Sequence, residues 1–484
     1  MVSPHLPNEI LTDIFLLGTL DWQENTPSEL PFPILVSCLC QHWRIVAHHN
    51  AQLWCTIFPP QFQDSDQEEA TKWVHRWLTR ARNLRISIVA DFTPWYPQKR
   101  VKGVGRLWSN IDAIVKAIVH CPERIRRLDI RSDDSDPTIL KGTFKDLPML
   151  PNLHQLSLQL PSICKVIVVD PSIPEFKGWF HKFPKLKVYR SDGMLVPKLQ
   201  GLTTLSFRHA WLTARLLRDL LSSLPQLETL LFPTVSVLGT DSSASINLSV
   251  VVAPSLRAFA IDLNDADTYN ENMPEGSGDH CINIFQQIRL PNLRYLELQR
   301  TPYLSEAFFD GIKQSFEHLE TVHFSNPGIW SDCNIDQVIL PTLSSLSNLR
   351  HLRFLSTRTA ILNPTAQNDA SVAPSTLIWP NILSITLCGS VNSEDLVNLC
   401  HFVKSHKLVE VVYLTEEAKR RLSTITMYGD EPDVWKDIPS DQPEAESIGT
   451  AEEWLKKIIR IETISRCDGL LDREGLNLKE LSVV

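Results

Sequence analysis

Residues 291–298, Pro291-Asn292-Leu293-Arg294-Tyr295-Leu296-Glu297-Leu298, show the pattern from which the fold of this chain can be predicted. An apolar residue is followed by two variable residues, a second apolar residue, one variable residue and a third apolar residue. The last part alternates apolar with other residues, which is typical of a strand that buries one face. Similar hexamers occur along most of the chain, so the pattern indicates a repeat.

Ten such hexamers lie between residues 125 and 413, and their first positions are 25 to 49 residues apart. Five have a proline two positions ahead, and Pro184-Lys185-Leu186 begins a degenerate member. Their apolar positions are Ile125-Leu128-Ile130, Leu153-Leu156-Leu158, Leu202-Leu205-Phe207, Leu227-Leu230-Phe232, Leu256-Phe259-Ile261, Leu293-Leu296-Leu298, Leu319-Val322-Phe324, Leu349-Leu352-Phe354, Ile382-Ile385-Leu387 and Leu408-Val411-Tyr413. One unit of this size cannot bury its own apolar surface, so the units must stack.

Helix signals follow several of the predicted strands. Thr213, Ser305 and Ser393 each precede an amphipathic segment, and their hydroxyl groups can accept a hydrogen bond at a helix start. We therefore predict an α/β fold with parallel strands inside and helices outside. This arrangement resembles an irregular leucine-rich-repeat horseshoe, although the Asn or Cys that usually follows the strand is largely missing. A mixed α/β sandwich is the alternative.

The N-terminal region has a different pattern. Amphipathic helices are predicted from Leu6-Pro7-Asn8-Glu9-Ile10 onward and over Ile34–Arg44, and Leu53-Trp54 closes the unit. Pro7 suits a first helical position, because its fixed φ fits and its missing N–H would be unpaired there. Leu6, Ile10, Ile14 and Leu17 recur at helical spacing, with Leu11 and Phe15 widening the stripe. So small a unit should leave apolar surface for a partner.

This N-terminal region resembles the F-box, whose pattern begins Leu-Pro-x-Glu-Ile/Leu and ends in Cys-x-x-Trp-Arg followed by Leu-Trp. The matching residues are Leu6, Pro7, Glu9, Ile10, Ile14, Phe15, Val36, Cys40, Trp43, Arg44, Ala47, Leu53 and Trp54. An insertion around Trp22–Pro31 departs from the pattern in a way seen in fungal members. An ordinary helical cap is the alternative.

The resemblance implies that the N-terminal helices dock on a Skp-type protein. The residues it assigns to holding these helices together or meeting that partner are Leu6, Pro7, Ile10, Ile14, Val36, Cys40, Trp43 and Trp54. Among them Trp43 is expected to pack in the core of the small bundle. An F-box followed by leucine-rich repeats also resembles the F-box proteins of basidiomycete, mushroom-forming fungi.

We predict five regions along the chain. They are an F-box-like helical domain (1–58), a helical linker (59–82), a leucine-rich-repeat-like solenoid (83–427), an acidic linker (428–449) and a C-terminal helical segment (450–484). Asn264–Asp279 and Asn363–Ser375 are predicted surface loops. Thr450 and Glu453 predict a capping box for a last helix that carries Trp454, Leu455, Ile458, Ile459 and Ile461.

Composition excludes several classes of function. A net charge of −9 over 484 residues argues against general nucleic-acid binding, which needs a basic surface. No apolar run reaches the roughly 18 residues of a membrane helix, and the N-terminus lacks the features of a secretory signal. The ten cysteines are scattered without paired spacing, so we expect reduced thiols and a cytoplasmic or nuclear location.

Motifs for bond chemistry are absent, so we expect a protein that is not an enzyme and that binds no cofactor or metal. Cys38-x-Cys40-x-His42 is a poor metal site, because helical residues two apart point away from each other; buried thiols beside surface histidines are the expectation. Gly103-Val104-Gly105-Arg106 lacks the rest of a phosphate-binding loop, and Asp133–Asp136 lacks the rest of a calcium loop. A basic patch at Lys99–Arg106 is either a solvated loop or a contact for phosphate or an acidic partner.

The sequence thus predicts a substrate-recognition adaptor of a Skp–cullin–F-box ubiquitin ligase. A leucine-rich-repeat scaffold or ligand-binding protein without ligase coupling is the alternative, and an enzyme on an α/β fold is a third option.

The target should lie on the sheet face formed by Arg127, Asp129, Gln155, Ser157, Thr204, Ser206, Arg208, Tyr295, Glu297, His323, His351 and Arg353. Within it we predict target contacts by Tyr295, Glu297, His323, His351 and Arg353, with binding made pH-sensitive by the two histidines if they meet acidic target groups. For most residues of the face, a solvated sheet position without a target contact is the alternative. Glu297 is expected to tolerate Ala, unlike Leu296.

Overall fold

The computed structural model describes residues 6–25, 31–58, 67–91, 115, 118–131, 147–159, 180–192, 199, 201–212, 214–237, 250–263, 288–299, 317–325, 346–355, 381–389, 391–428 and 447–464. The chain forms two compact units, Met1–Arg208 and His209–Val484. No helix within the described ranges has both the length and the apolar character needed to cross a bilayer.

The first unit begins with three helices that contact one another, α1 (Asn8–Asn25), α2 (Phe32–Leu39) and α3 (Gln41–His49). The single second helix predicted over residues 34–44 is wrong, because Cys40 has extended backbone and separates α2 from α3. Cys40 also caps α3, since its Sγ accepts a hydrogen bond from the Trp43 N–H at 3.4 Å. A 3-10 turn at Ala51–Trp54 follows.

The described residues that follow in the first unit include helix α4 (Gln67–Arg80) and the strands of a parallel sheet. The strands are β1 (Thr56–Ile57), β2 (Ile86–Asp91), β3 (Ile125–Arg131), β4 (Gln155–Gln159), β5 (Val188–Asp192) and β6 (Thr204–Leu212). Each strand pairs with the next in chain order, and β5 is the degenerate hexamer after Pro184. The unit boundary falls within β6.

The second unit continues the alternation. Its elements are α5 (Ala214–Ser223), β7 (Thr229–Val237), β8 (Val251–Val252), β9 (Ala258–Leu263), β10 (Ile288–Arg289), β11 (Tyr295–Gln299), β12 (Thr321–Ser325), β13 (His351–Leu355), β14 (Ser384–Cys388), α6 (Ser393–Ser405), β15 (Val411–Thr415), α7 (Glu416–Leu422), β16 (Thr426–Tyr428), β17 (Ser447–Thr450), α8 (Ala451–Ile458) and β18 (Arg460–Ile464). A parallel sheet runs β7-β9-β11-β12-β13-β14-β15-β18. Two small pairs, parallel β8–β10 and antiparallel β16–β17, accompany it.

The register of this sheet confirms the predicted parallel α/β arrangement. Successive hexamers place equivalent apolar residues side by side: Leu296 pairs with Val322, Val322 with Leu352, and Leu352 with Ile385. All four side chains are buried. A long parallel sheet whose strands follow chain order is compatible with a leucine-rich-repeat solenoid.

The last predicted hexamer is wrong by one residue. Leu408 is 52% exposed and Tyr413 is half-buried, whereas Val409, Val412 and Leu414 are buried. The pairing of Val412 with Ile385 fixes this register. Because side chains alternate across a strand, a shift by one residue exchanges the two faces completely.

Two helix predictions also change in detail. The predicted capping box of Thr450 and Glu453 is confirmed, but α8 ends at Ile458 and the following apolar residues form β18, which pairs with β15. The N-cap of α6 is Asn392, which forms a capping box with Asp395, and Ser393 is the first helical residue. The predicted helix after Ser305, the residue Thr213, the loops 264–279 and 363–375 and most of the acidic linker lie outside the described residues.

Asparagines that precede the first apolar residue of a hexamer link one unit to the unit before it. The side chain of Asn292 donates to the Pro254 carbonyl at 2.7 Å, and Asn152 donates to the Glu123 carbonyl at 2.7 Å. Asn348 and Asn381 make the equivalent bonds to the carbonyls of Glu317 and Ser347. These bonds satisfy carbonyl groups at turns where no strand partner is available.

Candidate functional site

Helix α1 carries apolar residues on two different faces. Leu11 and Phe15 are buried, and the Phe15 ring packs against Trp43 of α3 with 5.1 Å between centroids. Gly18 lies so close to α2 that an added Cβ would come within 2.4 Å of the Phe32 ring. The buried face of α1 therefore holds the three helices together.

The other face of α1 is exposed although it is apolar. Leu6, Ile10, Ile14 and Leu17 have 43–67% of their surface accessible. Exposed apolar side chains also occur on the neighbouring helices, and we call the whole set the helical apolar surface: Leu6, Ile10, Ile14, Leu17, Leu35, Leu39 and Ile45. A row of exposed apolar side chains at helical spacing, such as Ile10, Ile14 and Leu17 on α1, is typical of an interaction site.

Two of the residues assigned to holding the helices together or meeting the Skp-type partner are buried. Val36 and Trp54 have almost no accessible surface, so their side chains stabilise the helices from within. The Trp54 indole N–H donates to the Ala47 carbonyl at 2.8 Å, and its ring meets Trp77 of α4 at 5.0 Å. Trp43 is half-buried against Phe15, while Leu6, Pro7, Ile10, Ile14 and Cys40 are exposed. Partner binding by these exposed residues stays a prediction.

On the sheet of the second unit, a polar cluster is formed by Tyr295, Glu297 and His323. The Tyr295 hydroxyl donates to Oε2 of Glu297 at 2.8 Å, and Nδ1 of His323 lies 3.1 Å from Oε1. Gln299 donates to Oε1 at 2.5 Å. Nδ1 of His323 must carry the hydrogen, because a carboxylate oxygen only accepts.

Burial and hydrogen bonding oppose each other at this cluster. Burial tends to raise the pKa of Glu297, but the bonds and charge of His323, with the bonds from Gln299 and Tyr295, hold that pKa below its usual value. Burial, followed by the nearby Glu297 charge, raises the pKa of Tyr295 well above normal. The cluster is therefore a buried carboxylate held by hydrogen bonds within the sheet.

His351 and Arg353 lie on β13, the strand next to β12. Nδ1 of His351 is 2.7 Å from the Ser384 hydroxyl of β14. Burial and the charges of Arg353 and Arg350 lower the pKa of His351 to about 4, so this ring is neutral near pH 7. Any effect of His351 protonation on target binding is therefore expected near pH 4 and not near neutral pH.

Several residues expected on an open face are buried. Asp129, Ser157, Ser206, Tyr295, Glu297 and His323 are buried, whereas Arg127, Gln155, Thr204, Arg208, His351 and Arg353 are half-buried. Glu297, with 0% exposure, is therefore not a freely substitutable position. Strands only about 4.8 Å apart let side chains of adjacent units cover one another. Tyr295, Glu297 and His323 do meet in space, but they bond to each other.

In the first unit, charged residues on the sheet face also bond to each other. Asp129 is buried, and its Oδ2 accepts hydrogen bonds from Arg127 at 3.2 Å and Arg131 at 3.3 Å. All three residues alternate with core positions on β3. The face residues that sequence reasoning missed, including Arg131, Gln299, Ser384, Thr386 and Tyr413, could have been found by extending the same alternation in both directions along each strand.

A charged groove of about 520 Å³ lies where the strands of the second unit begin. It is lined by Glu228, Pro254, Ser255, Arg257, Asn292, Arg294, His318, Glu320, Asn348 and Arg350. Arg294 and Glu320 form an ion pair at 3.6 Å, and the backbone N–H of each also donates to the carbonyl of the equivalent residue one unit earlier. This edge thus joins consecutive units through charges and backbone bonds.

The described residues contain no group of three or more His, Cys, Asp or Glu that could hold a metal ion. Cys38 and Cys40 are exposed, so the expectation that they are buried thiols is wrong. Cys55, Cys121 and Cys400 are free thiols, whereas Cys388 is disulfide-bonded, which corrects the expectation of reduced thiols for that residue.

The known proteins that match this chain are solved structures, and their sequence identity to it is low. No protein-family model matches the chain. No curated protein matches it either. Among solved structures, a chain of the yeast Rad7–Elc1 complex is 12% identical, with 85% of this chain and 90% of that chain covered and a TM-score of 0.34. A chain of the TLR13–ssRNA13 complex is 14% identical, with 62% and 44% covered and a TM-score of 0.30.

Proposed function

We propose that this chain is a non-enzymatic adaptor of a cullin-type ubiquitin ligase. Helices α1–α3 would act as an F-box that docks on a Skp-type protein, and the repeats would hold a target protein. The observation that carries the proposal is the exposed apolar face of α1, where Ile10 and Ile14 are exposed while Leu11 and Phe15 are buried, with Leu6 exposed just before the helix.

The chemistry of this surface supports docking. Leaving several large aliphatic side chains in water is unfavourable by roughly 25 cal/mol per Å² of apolar area, so a partner that covers them gains that energy. Leu6, Pro7, Ile10 and Ile14 are also positions of the F-box-like pattern, and all four are exposed. The pattern and the exposure are independent reasons to place a partner here.

An adaptor needs no catalytic group of its own. It raises the effective concentration of target lysines near the ubiquitin-charged enzyme, which accelerates transfer without new contacts at the reacting atoms. The alternating face of the parallel sheet supplies the second binding surface. This proposal places the protein in the cytoplasm or the nucleus, as a basidiomycete-type F-box protein with repeats.

Co-purification with a Skp-type protein tests the proposal. The full chain should retain the partner, and the double variant Ile10→Asp/Ile14→Asp should lose it, because two charges cannot be buried unpaired in an apolar interface. Leu408→Asp is the matched control, since Leu408 is equally exposed but lies in the second unit. Circular dichroism should show all three proteins folded.

Two results would contradict the proposal. One is undiminished capture of the partner by the double variant. The other is a parent chain that binds no Skp-type protein, which would leave a repeat scaffold or ligand-binding protein without ligase coupling.

A further inference from the structure

Arg353 differs from the other charged groups on the sheet face of the second unit. It lies in the middle of β13, where its Cα partners are His323 on β12 and Thr386 on β14. Its side chain is half-buried. Within the part of the chain that the structure describes, its guanidinium has no hydrogen bond or ion pair. None of its nitrogen atoms is among the buried side-chain atoms without a partner, so its five N–H donors are open to solvent and available to a bound acceptor.

The carboxylates on the same face are already engaged. Glu297 lies two strands away and receives hydrogen bonds from Tyr295, His323 and Gln299. Glu462, on β18, accepts a bond from Nε of Arg460 at 3.0 Å. Neither acid therefore needs Arg353 as a partner.

The neighbours of Arg353 could complete a binding site for an anion. Thr386 and Tyr413 continue its row on β14 and β15, and both are half-buried with their side chains on the same face. Their hydroxyl groups can donate hydrogen bonds to an oxygen held by the guanidinium. His351 is occupied by its bond to Ser384.

We propose that Arg353 anchors a single carboxylate, the side chain of an Asp or Glu in a segment of the target protein, with Thr386 and Tyr413 beside it. A guanidinium matches a carboxylate with two parallel N–H···O bonds. The inference rests on the proposed function only in taking the bound macromolecule to be a protein target.

The surrounding charge favours a carboxylate over a phosphate. Phosphorylated segments are usually bound by clusters of arginines, because a phosphate carries up to two negative charges. Here the row Glu297–His323–Arg353–Thr386–Tyr413–Glu462 offers one arginine with an acid near each end. Arg353 can therefore neutralise one negative charge, and this row contains no second arginine to bind the further charge of a phosphate.

Peptide selection against the full chain tests this site. A random peptide library should yield a consensus with one fixed acidic position. The consensus peptide is then synthesised with Asp or Glu, with the matching amide, and with phosphoserine at that position, and Kd is measured by fluorescence anisotropy. The parent should bind the acidic form roughly ten- to hundredfold more tightly than the amide form.

The variants report on Arg353 itself. Arg353→Gln should abolish the preference for acid over amide, and Arg353→Glu should select peptides with Lys or Arg instead. Arg353→Lys retains the positive charge but cannot form two parallel hydrogen bonds to a carboxylate, so its preference for the acidic over the amide peptide should be weaker than that of the parent. If the other two variants do not fold, this variant still tests the role of Arg353. Arg350→Gln is the matched control, because Arg350 lies on the strand-start edge outside this face.

The inference is overturned by a consensus without an acidic position, by equal effects of Arg350→Gln and Arg353→Gln, or by a preference for the phosphoserine peptide. Each preparation is also tested for capture of a Skp-type protein. Arg353 variants should retain that capture, so loss of peptide preference and failure of the adaptor function give different results.

Discussion

The hydroxyl of Tyr295 donates a hydrogen bond to the carboxylate of Glu297, 2.8 Å away and two residues further along the same strand. Both side chains are buried, although they lie on the face that alternates with the apolar core of β11. His323 of the next strand completes the arrangement. The row of residues that strand alternation assigns to target binding is thus partly a structural network.

Replacing Glu297 with Ala should destabilise the second unit by about 1–3 kcal/mol or more, because Tyr295 and His323 would be left buried without an acceptor. Leu296→Ala should cost roughly 2–5 kcal/mol through lost packing. Arg294→Ala, at an exposed ion pair, should change stability by less than about 1 kcal/mol. Urea unfolding measures all three, and a Glu297→Ala protein as stable as the parent would show that the network contributes nothing.

The neutral state of His351 predicts an acid-dependent loss of stability. The pKa of this ring is 6.5 when unfolded and about 4 when folded, so the unfolded chain binds the proton first. Stability should therefore fall as the pH drops from 6.5 towards 4, and His351→Asn should lose this part of the pH dependence. Thermal unfolding across that range is the measurement. Parallel curves for parent and variant would contradict the assignment.

The asparagine bonds between units should contribute measurably. Asn292→Ala removes the donor to the Pro254 carbonyl and should cost about 0.5–1.5 kcal/mol. Gln226 occupies the equivalent position before Leu227, is exposed and makes no side-chain bond among the described residues, so Gln226→Ala should be neutral. Denaturant midpoints compare the two, and equal midpoints would argue against a stabilising role for the asparagine.

Substitutions on the two faces of α1 should separate folding from docking. Phe15→Ala should cost about 3–5 kcal/mol, because its buried ring packs on Trp43. Ile10→Ala removes an exposed side chain and should change stability by less than about 0.5 kcal/mol. Thermal unfolding of the full chain tests this difference, and a large loss on Ile10→Ala would mean that its side chain belongs to the core.

The candidate sites could be read from the sequence only in part. Helical spacing identifies Ile10 and Phe15 as apolar positions of α1, but it does not tell which of them faces the other helices. Strand alternation places Glu297 and His323 on one face, but it does not tell that they bond to each other. In the last repeat, Leu408-Val411-Tyr413 and Val409-Val412-Leu414 both fit the pattern, and only pairing with Ile385 selects the second.

The pattern of residues is enough to predict the parallel repeat, since apolar residues at fixed offsets must lie on one side of each strand and must be covered by neighbouring units. It also determined the capping box of Thr450 and Glu453, because that device depends on residues three apart. The tertiary structure alone decided which polar side chains are buried and which remain available. That outcome depends on strands about 4.8 Å apart and on residues far apart in sequence, which place His323 beside Glu297 and leave the Arg353 guanidinium without a side-chain partner among the described residues.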